Sequence, residues 1–319
     1  METNQTNTSL TIKISNEQIN EMLEYYQGYT TYNTNPYSIA RAKLANVTIT
    51  FYRTNSVLFQ GKDASSEYNF WASKFGLDQV ILPEDEIKHK YFNLSCVGSD
   101  EVGTGDYFGP IVVCATYVSK ENIEKLRHLG VKDSKLLTDK QMIPLGLEIA
   151  KIIPYVILTL SPERFNTLKN SEDNLNYVKA VLHNNCINSI LKKLENCKPQ
   201  AILVDAFTTK DKYFEYLQNA KNINTDVTLI EKGENAHYAV AAASILARVA
   251  FLKELKNYSK EYGIEFLKGA GREVDRLGVS FVKSFGYNSL TKVAKLKYAN
   301  TERIKQYFID NNIKMRIEQ

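Results

Sequence analysis

The sequence has few cysteines and no long apolar run, and each shortage excludes a class of protein. Its four cysteines, Cys96, Cys114, Cys186 and Cys197, lack the spacing of a zinc site, and we expect buried thiols in a reducing compartment. No run approaches the roughly 20 apolar residues of a membrane span, and residues 1–9 are polar, unlike a signal peptide. These absences predict a cytoplasmic protein that does not enter a membrane.

One stretch, residues 25–62, has no acidic residue at all. The net charge of the 319 residues is only +4, which by itself does not indicate a polyanionic partner. Basic residues that lie among aromatic ones nevertheless suit contacts with phosphates, sugars and bases, although an ordinary tyrosine-rich sheet has the same composition. The residues concerned are Arg41, Lys43, Arg53 and Lys62, among Tyr25, Tyr26, Tyr29, Tyr32, Tyr37 and Tyr52.

Hydrophobic patterns predict two domains, at residues 1–88 and 93–319, joined by a linker near 83–86. The first has the pattern of a small α+β domain with a hairpin sheet. In the second, hairpin strands come first and βα units follow, which implies a mixed five-stranded sheet flanked by helices, with a helical segment at the C-terminus. The predicted strands of the second domain are 94–99, 111–118, 155–160, 201–204 and 227–230. Its main predicted helices are 171–197, 237–252, 273–285 and 301–311.

Acidic residues stand at the ends of several of these strands. Asp100 and Glu101 end a buried strand and run into a glycine-rich loop, so both can reach one site only where the chain turns. Asp205 follows four apolar residues, and Glu234 lies between the last strand and an alanine-rich helix. Taken singly, Asp205 also fits a turn residue, Glu234 a helix N-terminal charge and Asp106 a loop residue.

Carboxylates that converge without enough Lys or Arg beside them repel one another. A hard divalent cation relieves the repulsion, and Mg²⁺ commonly bridges carboxylates to phosphate oxygens. Two such ions ~3.5–4 Å apart activate a water molecule and stabilise the leaving oxygen of a phosphodiester. Convergence of Asp100, Glu101, Asp205 and Glu234 would therefore indicate metal-assisted phosphodiester hydrolysis.

Four motifs stand out: Asp100-Glu101-Val102-Gly103-Thr104-Gly105, Val131-Lys132-Asp133-Ser134-Lys135, Leu203-Val204-Asp205-Ala206-Phe207, and Lys232-Gly233-Glu234-Asn235 running into Ala239-Val240-Ala241-Ala242-Ala243-Ser244-Ile245-Leu246-Ala247-Arg248. They resemble motifs of the type 2 ribonucleases H. The C-terminal segments 267–271 and 274–275 resemble the ribonuclease HIII branch of that family, and the N-terminal stretch through 57–61 resembles its TATA-box-binding-protein-like domain. The resemblance covers nearly the whole chain.

The resemblance implies a ribonuclease-H-like α/β fold and an endonuclease that cuts the RNA strand of RNA/DNA hybrids, leaving 5′-phosphate and 3′-hydroxyl ends. It implies Mg²⁺ as the cofactor, with Mn²⁺ as a substitute, and we expect a monomer. The four catalytic and metal-binding acids map onto Asp100, Glu101, Asp205 and Glu234; the sister branch, ribonuclease HII, has an aspartate at the last position. Gly233 and Asn235 depart from the alanine and serine that we expect there.

The residues expected to bind the hybrid lie in three places. Gly103, Thr104 and Gly105 would meet the RNA backbone and its 2′-hydroxyls. Ser134 and Lys135 would hold a substrate phosphate, although a solvated loop lysine is the other interpretation. The N-terminal domain would grip the hybrid through Arg41, Lys43 and Arg53.

Three other functions share parts of this pattern. One is excision of single ribonucleotides from duplex DNA, as by a ribonuclease HII. Another is a non-catalytic hybrid-binding protein, which the presence of all four acids argues against. The last is an exonuclease or transposase-like enzyme, which the Gly103-Thr104-Gly105 loop and the Gly269-Ala270-Gly271 segment argue against.

Overall fold

In a computed structural model of the protein, the structure describes residues 8–32, 35–78, 80, 90–131, 137–169, 174–195 and 197–317. The chain divides into two compact units. One comprises residues 1–93 with 127–137, and the other comprises residues 94–126 with 138–319. The domain limits inferred from the sequence stay a prediction, and the linker predicted at 83–86 lies outside the described residues.

In the part of the first unit that the structure describes, two helices of ten residues or more accompany a five-stranded antiparallel sheet. The strands are β1 Thr8–Lys13, β2 Thr30–Tyr32, β3 Ser38–Lys43, β4 Val47–Tyr52 and β5 Ser56–Gly61, and the helices are α1 Asn16–Tyr25 and α2 Ala64–Lys74. The strand order is β1-β5-β4-β3-β2. Along β3, Ala40 and Ala42 are buried in the core that α1 and α2 share, whereas Arg41 and Lys43 are exposed. One face of the sheet therefore remains open.

Two of the tyrosines in the acid-free stretch belong to the core of this unit. Tyr26 is buried, and Tyr25 packs against the same core. The indole nitrogen of Trp71 donates a hydrogen bond to the Tyr26 hydroxyl at 2.7 Å. A tyrosine-rich core thus accounts for Tyr25 and Tyr26, while Tyr32 and its neighbours Tyr29 and Tyr37 are exposed.

The second unit is built on a mixed five-stranded sheet, as the sequence predicts. Its strands are β6 Cys96–Val102, β7 Ile111–Val118, β8 Tyr155–Leu160, β9 Ala201–Asp205 and β10 Val227–Ile230. The order is β10-β9-β6-β7-β8. β6, β7 and β8 pair antiparallel, whereas β9 runs parallel to both β6 and β10. The carboxyl ends of β6, β9 and β10 therefore share one edge of the sheet.

Helices flank this sheet and form the C-terminal segment. Their bounds are α3 Lys120–His128, α4 Asp139–Ile152, α5 Pro162–Asn166, α6 Leu175–Lys193, α7 Lys210–Leu217, α8 Gly233–Ala236, α9 Tyr238–Tyr262, α10 Arg272–Phe285, α11 Tyr287–Val293 and α12 Ala299–Asp310. Among the helices that the structure describes, none has the length and apolar character needed to cross a membrane.

The alanine-rich helix α9 packs directly against β6 and β7 at the centre of the sheet. At Gly98 of β6, an added Cβ would lie 2.3 Å from the carbonyl carbon of Ala239 and from the amide nitrogen of Val240. The Thr116 hydroxyl of β7 also donates a hydrogen bond to the Ala239 carbonyl at 2.8 Å. The backbone of β6 thus packs directly against the backbone of α9, and this contact fixes the position of β6 just before Asp100 and Glu101.

We expect Gly98→Ala to lower the free energy of unfolding by about 1–3 kcal/mol, because the new methyl group must displace rigid backbone. Chemical denaturation of the two proteins measures the difference. Gly105→Ala is the matched control, since a Cβ at Gly105 has no heavy atom within 4 Å. Equal stability of the Gly98 and Gly105 variants would show that the close approach is not a constraint.

Candidate active site

Asp100 and Asp205 end neighbouring parallel strands. Ser99 of β6 is in register with Val204 of β9, so the residues that follow them stand side by side at the carboxyl edge of the sheet. The sequence left open whether these two strands were neighbours, and the register shows that they are.

The Asp100 carboxylate is buried. Its Oδ1 accepts a hydrogen bond from the Glu101 amide at 2.6 Å, and the Ser244 side chain forms a further hydrogen bond with the carboxylate. Burial, and then the negative charges of Glu101 and Asp205, raise the pKa of Asp100 to about 8. The protein thus holds a carboxyl group where a negative charge is costly.

Glu101 points toward two basic groups on α6. Its Oε1 lies 2.7 Å from the Lys179 ammonium, and its Oε2 lies 2.9 Å from Nε2 of His183. Burial alone would raise the pKa of Glu101, but His183 and Lys179 together outweigh burial and lower it to about 2. Both basic groups pack on the ring of Phe207, at 4.2 Å for Lys179 and 5.3 Å for His183.

Asp205 is tied to the turn that carries Glu234. Its Oδ1 accepts a hydrogen bond from the Gly233 amide at 2.7 Å, and Glu234 stands in the first turn of the short helix α8. Burial and the charges of Glu234 and Glu101 raise the pKa of Asp205 above its usual value. A Cβ at Gly233 would lie 3.1 Å from the Val240 side chain, so glycine fits here more easily than the alanine that the family resemblance leads us to expect.

The four predicted acids therefore influence one another electrostatically at one sheet edge. Across the described ranges, however, no three His, Cys, Asp or Glu side chains already stand as a ligand set around one point. Two of the acids, Asp100 and Asp205, have raised pKa values because of burial and negative neighbours. That surplus of carboxylate oxygens fits a hard divalent cation, which would relieve the repulsion.

The glycine-rich loop after Glu101 is braced by the C-terminal segment. Gly103 has a φ of +96°, and a Cβ there would lie 2.1 Å from the Pro110 carbonyl oxygen. The Tyr298 hydroxyl donates a hydrogen bond to the Thr104 carbonyl at 2.7 Å. The Gly269 amide donates one to Asp106 at 2.6 Å. Gly105, at the tip, is exposed.

The basic residues predicted to bind the hybrid are in different surroundings. Arg41 and Lys43 line a groove of about 630 Å³ on the open face of the N-terminal sheet, together with Gln60 and Lys62. Arg53 instead donates a hydrogen bond through Nε to the Pro36 carbonyl at 3.2 Å. Ser134 and Lys135 lie outside the described residues.

Sequence reasoning missed four residues that contact the site: Lys179, His183, Ser244 and Tyr298. Lys179 and His183 could have been noticed, because they are four positions apart on an otherwise apolar helix face. No local signal identifies Tyr298, whose partner Thr104 is 194 positions away in the sequence.

Comparisons with known proteins show which family the chain resembles. Residues 97–301 match the family described as Ribonuclease HII, and residues 9–78 match a Domain of unknown function (DUF3378). Ribonuclease HIII of Enterococcus faecalis is 41% identical over 92% of this chain and 96% of its own length. Ribonuclease HIII of Bacillus cereus strain AH187 is 37% identical over 92% of this chain and 97% of its own.

Solved structures give the same result. A crystal structure of Bst-RNase HIII in complex with Mn²⁺ aligns with a TM-score of 0.69 and 35% identity, covering 94% of this chain and 99% of that one. The ribonuclease H2 of Pyrococcus horikoshii aligns with a TM-score of 0.56 and 26% identity over 68% of this chain and all of its own. With its four acids at one sheet edge and these relatives along nearly its full length, the chain belongs to the ribonuclease HIII family.

Proposed function

We propose that this chain hydrolyses the RNA strand of RNA/DNA hybrids to 5′-phosphate and 3′-hydroxyl ends, with Mg²⁺ held by Asp100, Glu101, Asp205 and Glu234. Its family membership makes it a metal-dependent endoribonuclease, and a solved relative is described in complex with Mn²⁺. The observation that carries the proposal is the placement of two carboxyl groups, Asp100 and Asp205, side by side at the ends of adjacent parallel strands, where burial and negative neighbours raise the pKa of both. A divalent cation bound by this pair would relieve the repulsion between them.

Each acid has a distinct part in this proposal. Asp100 and Asp205 would be the central oxygen ligands of the metal, and Glu101 and Glu234 would complete its ligand set. A divalent metal held there would supply an activated water molecule and charge stabilisation at the leaving 3′-oxygen. The hydrogen bonds from the amides of Glu101 and Gly233 fix one oxygen of Asp100 and one of Asp205, and so orient both carboxylates for a ligand.

Recognition of RNA is assigned to the backbone of the loop at Gly103, Thr104 and Gly105. The 2′-hydroxyl is the group that distinguishes RNA from DNA, and a backbone amide or carbonyl can bind it without a side chain. Ser134 and Lys135 are proposed to hold a neighbouring phosphate.

The substrate class is tested by comparing a uniform RNA/DNA hybrid with a DNA duplex that contains a single ribonucleotide, each with Mg²⁺ and with Mn²⁺. We expect efficient cleavage of the hybrid and poor cleavage of the single ribonucleotide. The reverse preference would favour excision of single ribonucleotides.

We expect Asp205→Asn to reduce the cleavage rate with Mg²⁺ by more than about 100-fold, because the site loses a charged ligand. Binding of a labelled hybrid should change little. The matched control is Asp226→Asn, which makes the same substitution at an exposed residue just before β10, at the opposite end of the parallel strands. Normal turnover by the Asp205 variant would contradict the assignment.

We expect Arg41→Ala with Lys43→Ala to weaken hybrid binding about 10-fold, through the loss of phosphate contacts on the open N-terminal sheet. Fluorescence anisotropy with a labelled hybrid measures the dissociation constant. The control pair is Lys210→Ala with Lys212→Ala, which removes the same charge from the exposed start of α7. If the two double variants have the same dissociation constant for the hybrid, the N-terminal groove does not contact the substrate.

We expect Tyr298→Phe to lower kcat/KM for the hybrid by about 3- to 10-fold, because loss of a hydrogen bond worth about 1 kcal/mol loosens the Thr104 carbonyl. Steady-state kinetics measures this change. Tyr213→Phe is the control, since the buried Tyr213 hydroxyl has no hydrogen-bond partner in the part of the chain that the structure describes. An unchanged kcat/KM for the Tyr298 variant would mean that the hydroxyl does not position the loop.

A further inference from the structure

The C-terminal helices carry a strong positive charge that the proposed active site does not use. Residues 272–316 contain ten Lys and Arg residues against four Asp and Glu residues. Residues 91–319 as a whole contain 32 against 26, so this short segment accounts for the entire positive excess of the larger region. Clustered charge of one sign on a surface attracts a partner of the other sign.

Much of this charge lines a groove of about 400 Å³ between α10 and α12, which we name the C-terminal groove. Residues 272, 276, 280 and 283 follow the helical repeat and are all exposed, so they form one face of α10. The groove is lined by Arg272, Asp275, Arg276, Val279, Ser280, Lys283, Arg303 and Tyr307. Four of these eight side chains are cationic, and one is acidic.

The acidic side chain is already engaged. Asp275 accepts hydrogen bonds from Arg303 at 2.7 Å and from Asn300 at 2.7 Å. Arg276 pairs with Glu273, but both side chains are more than 70% exposed, so that ion pair is weak in water. Within the described ranges, no acidic side chain forms an ion pair with Arg272 or Lys283.

Hydrogen bonds through residues 269–270 link the groove to the loop that follows the candidate catalytic acids. Arg303 and Asn300 both donate hydrogen bonds to the Ala270 carbonyl, at 3.1 Å and 3.0 Å. The preceding residue, Gly269, donates to Asp106 at 2.6 Å and accepts from the Tyr107 amide at 2.8 Å. The groove and the loop are therefore held to each other by one short segment of the chain.

We propose that the C-terminal groove binds backbone phosphates of the nucleic acid that flanks the cleavage site. At 1.5 Å per residue, Arg272 and Lys283 are about 16 Å apart along α10, which is about the axial rise of five base pairs of a duplex whose axis runs parallel to the helix. Tyr307 lies beside Lys283, with the ammonium 4.9 Å from its ring centre, and offers an apolar surface to a sugar. Such contacts hold and orient a duplex without reading its sequence.

This inference rests on the proposed function only for the identity of the polyanion. An RNA/DNA hybrid bound at the active site is the polyanion whose phosphates would reach the C-terminal groove. An acidic protein surface is the alternative partner, and it predicts no effect of the groove on hybrid binding.

The test is the salt dependence of hybrid binding by the full chain, with EDTA present so that no cleavage occurs. Arg272→Gln with Lys283→Gln removes two charges from the groove. The matched control, Lys292→Gln with Lys305→Gln, removes two charges from the same segment outside the groove. The hybrid is about three helical turns long, so that it extends beyond the cleavage site.

We expect the groove variant to reduce the slope of log K against log [salt] by about 2, since each phosphate contact contributes about 0.9. The control variant should retain the wild-type slope, and both variants should unfold at the wild-type denaturant concentration. Equal slopes for the groove variant and the control would overturn the proposal. Cleavage of the hybrid by the wild type with Mg²⁺ is scored separately, so a failure of the proposed activity is not confused with a failure of the groove.

Discussion

The parallel pairing of β6 with β9 is the constraint on which the rest of the site depends. It places Asp100 beside Asp205, two residues that are 105 positions apart in the sequence, at the same edge of one sheet. Burial there raises the pKa of both carboxyl groups. The fold thus holds together carboxyl groups that repel one another when ionised, and a bound cation would relieve that repulsion. The stability of the surrounding sheet and of α9 offsets the free-energy cost of holding these groups together.

Glu101 differs from the two aspartates, because basic side chains compensate its negative charge. Lys179 and His183 each bond one of its oxygens, so this acid is paired with basic groups, whereas Asp100 and Asp205 accept hydrogen bonds from backbone amides and, for Asp100, from Ser244. Removing one member of a buried ion pair is more costly than having neither, because it leaves an uncompensated charge. Phe207 packs against both basic groups, so the ion pair has an apolar neighbour.

The sequence is most informative where side-chain patterns are regular. The five strands of the second sheet and the acids at their ends follow from apolar runs and the period of two. Strand β3 was not predicted, because its core side chains, Ala40 and Ala42, are too small to stand out as apolar. Lys179 and Tyr298 were also missed, because their importance depends on contacts with residues far away in the sequence, which no local pattern encodes.

The bond from Tyr298 to Thr104 has a consequence for how the enzyme matures. All four carboxylates have been synthesised once the chain reaches residue 234, but the side chain that steadies the loop beside them arrives 64 residues later. A chain that stops before residue 298 would contain all four acids but would lack the hydroxyl group that bonds the Thr104 carbonyl. The loop beside the acids therefore acquires its full set of hydrogen bonds only when the C-terminal segment has been added.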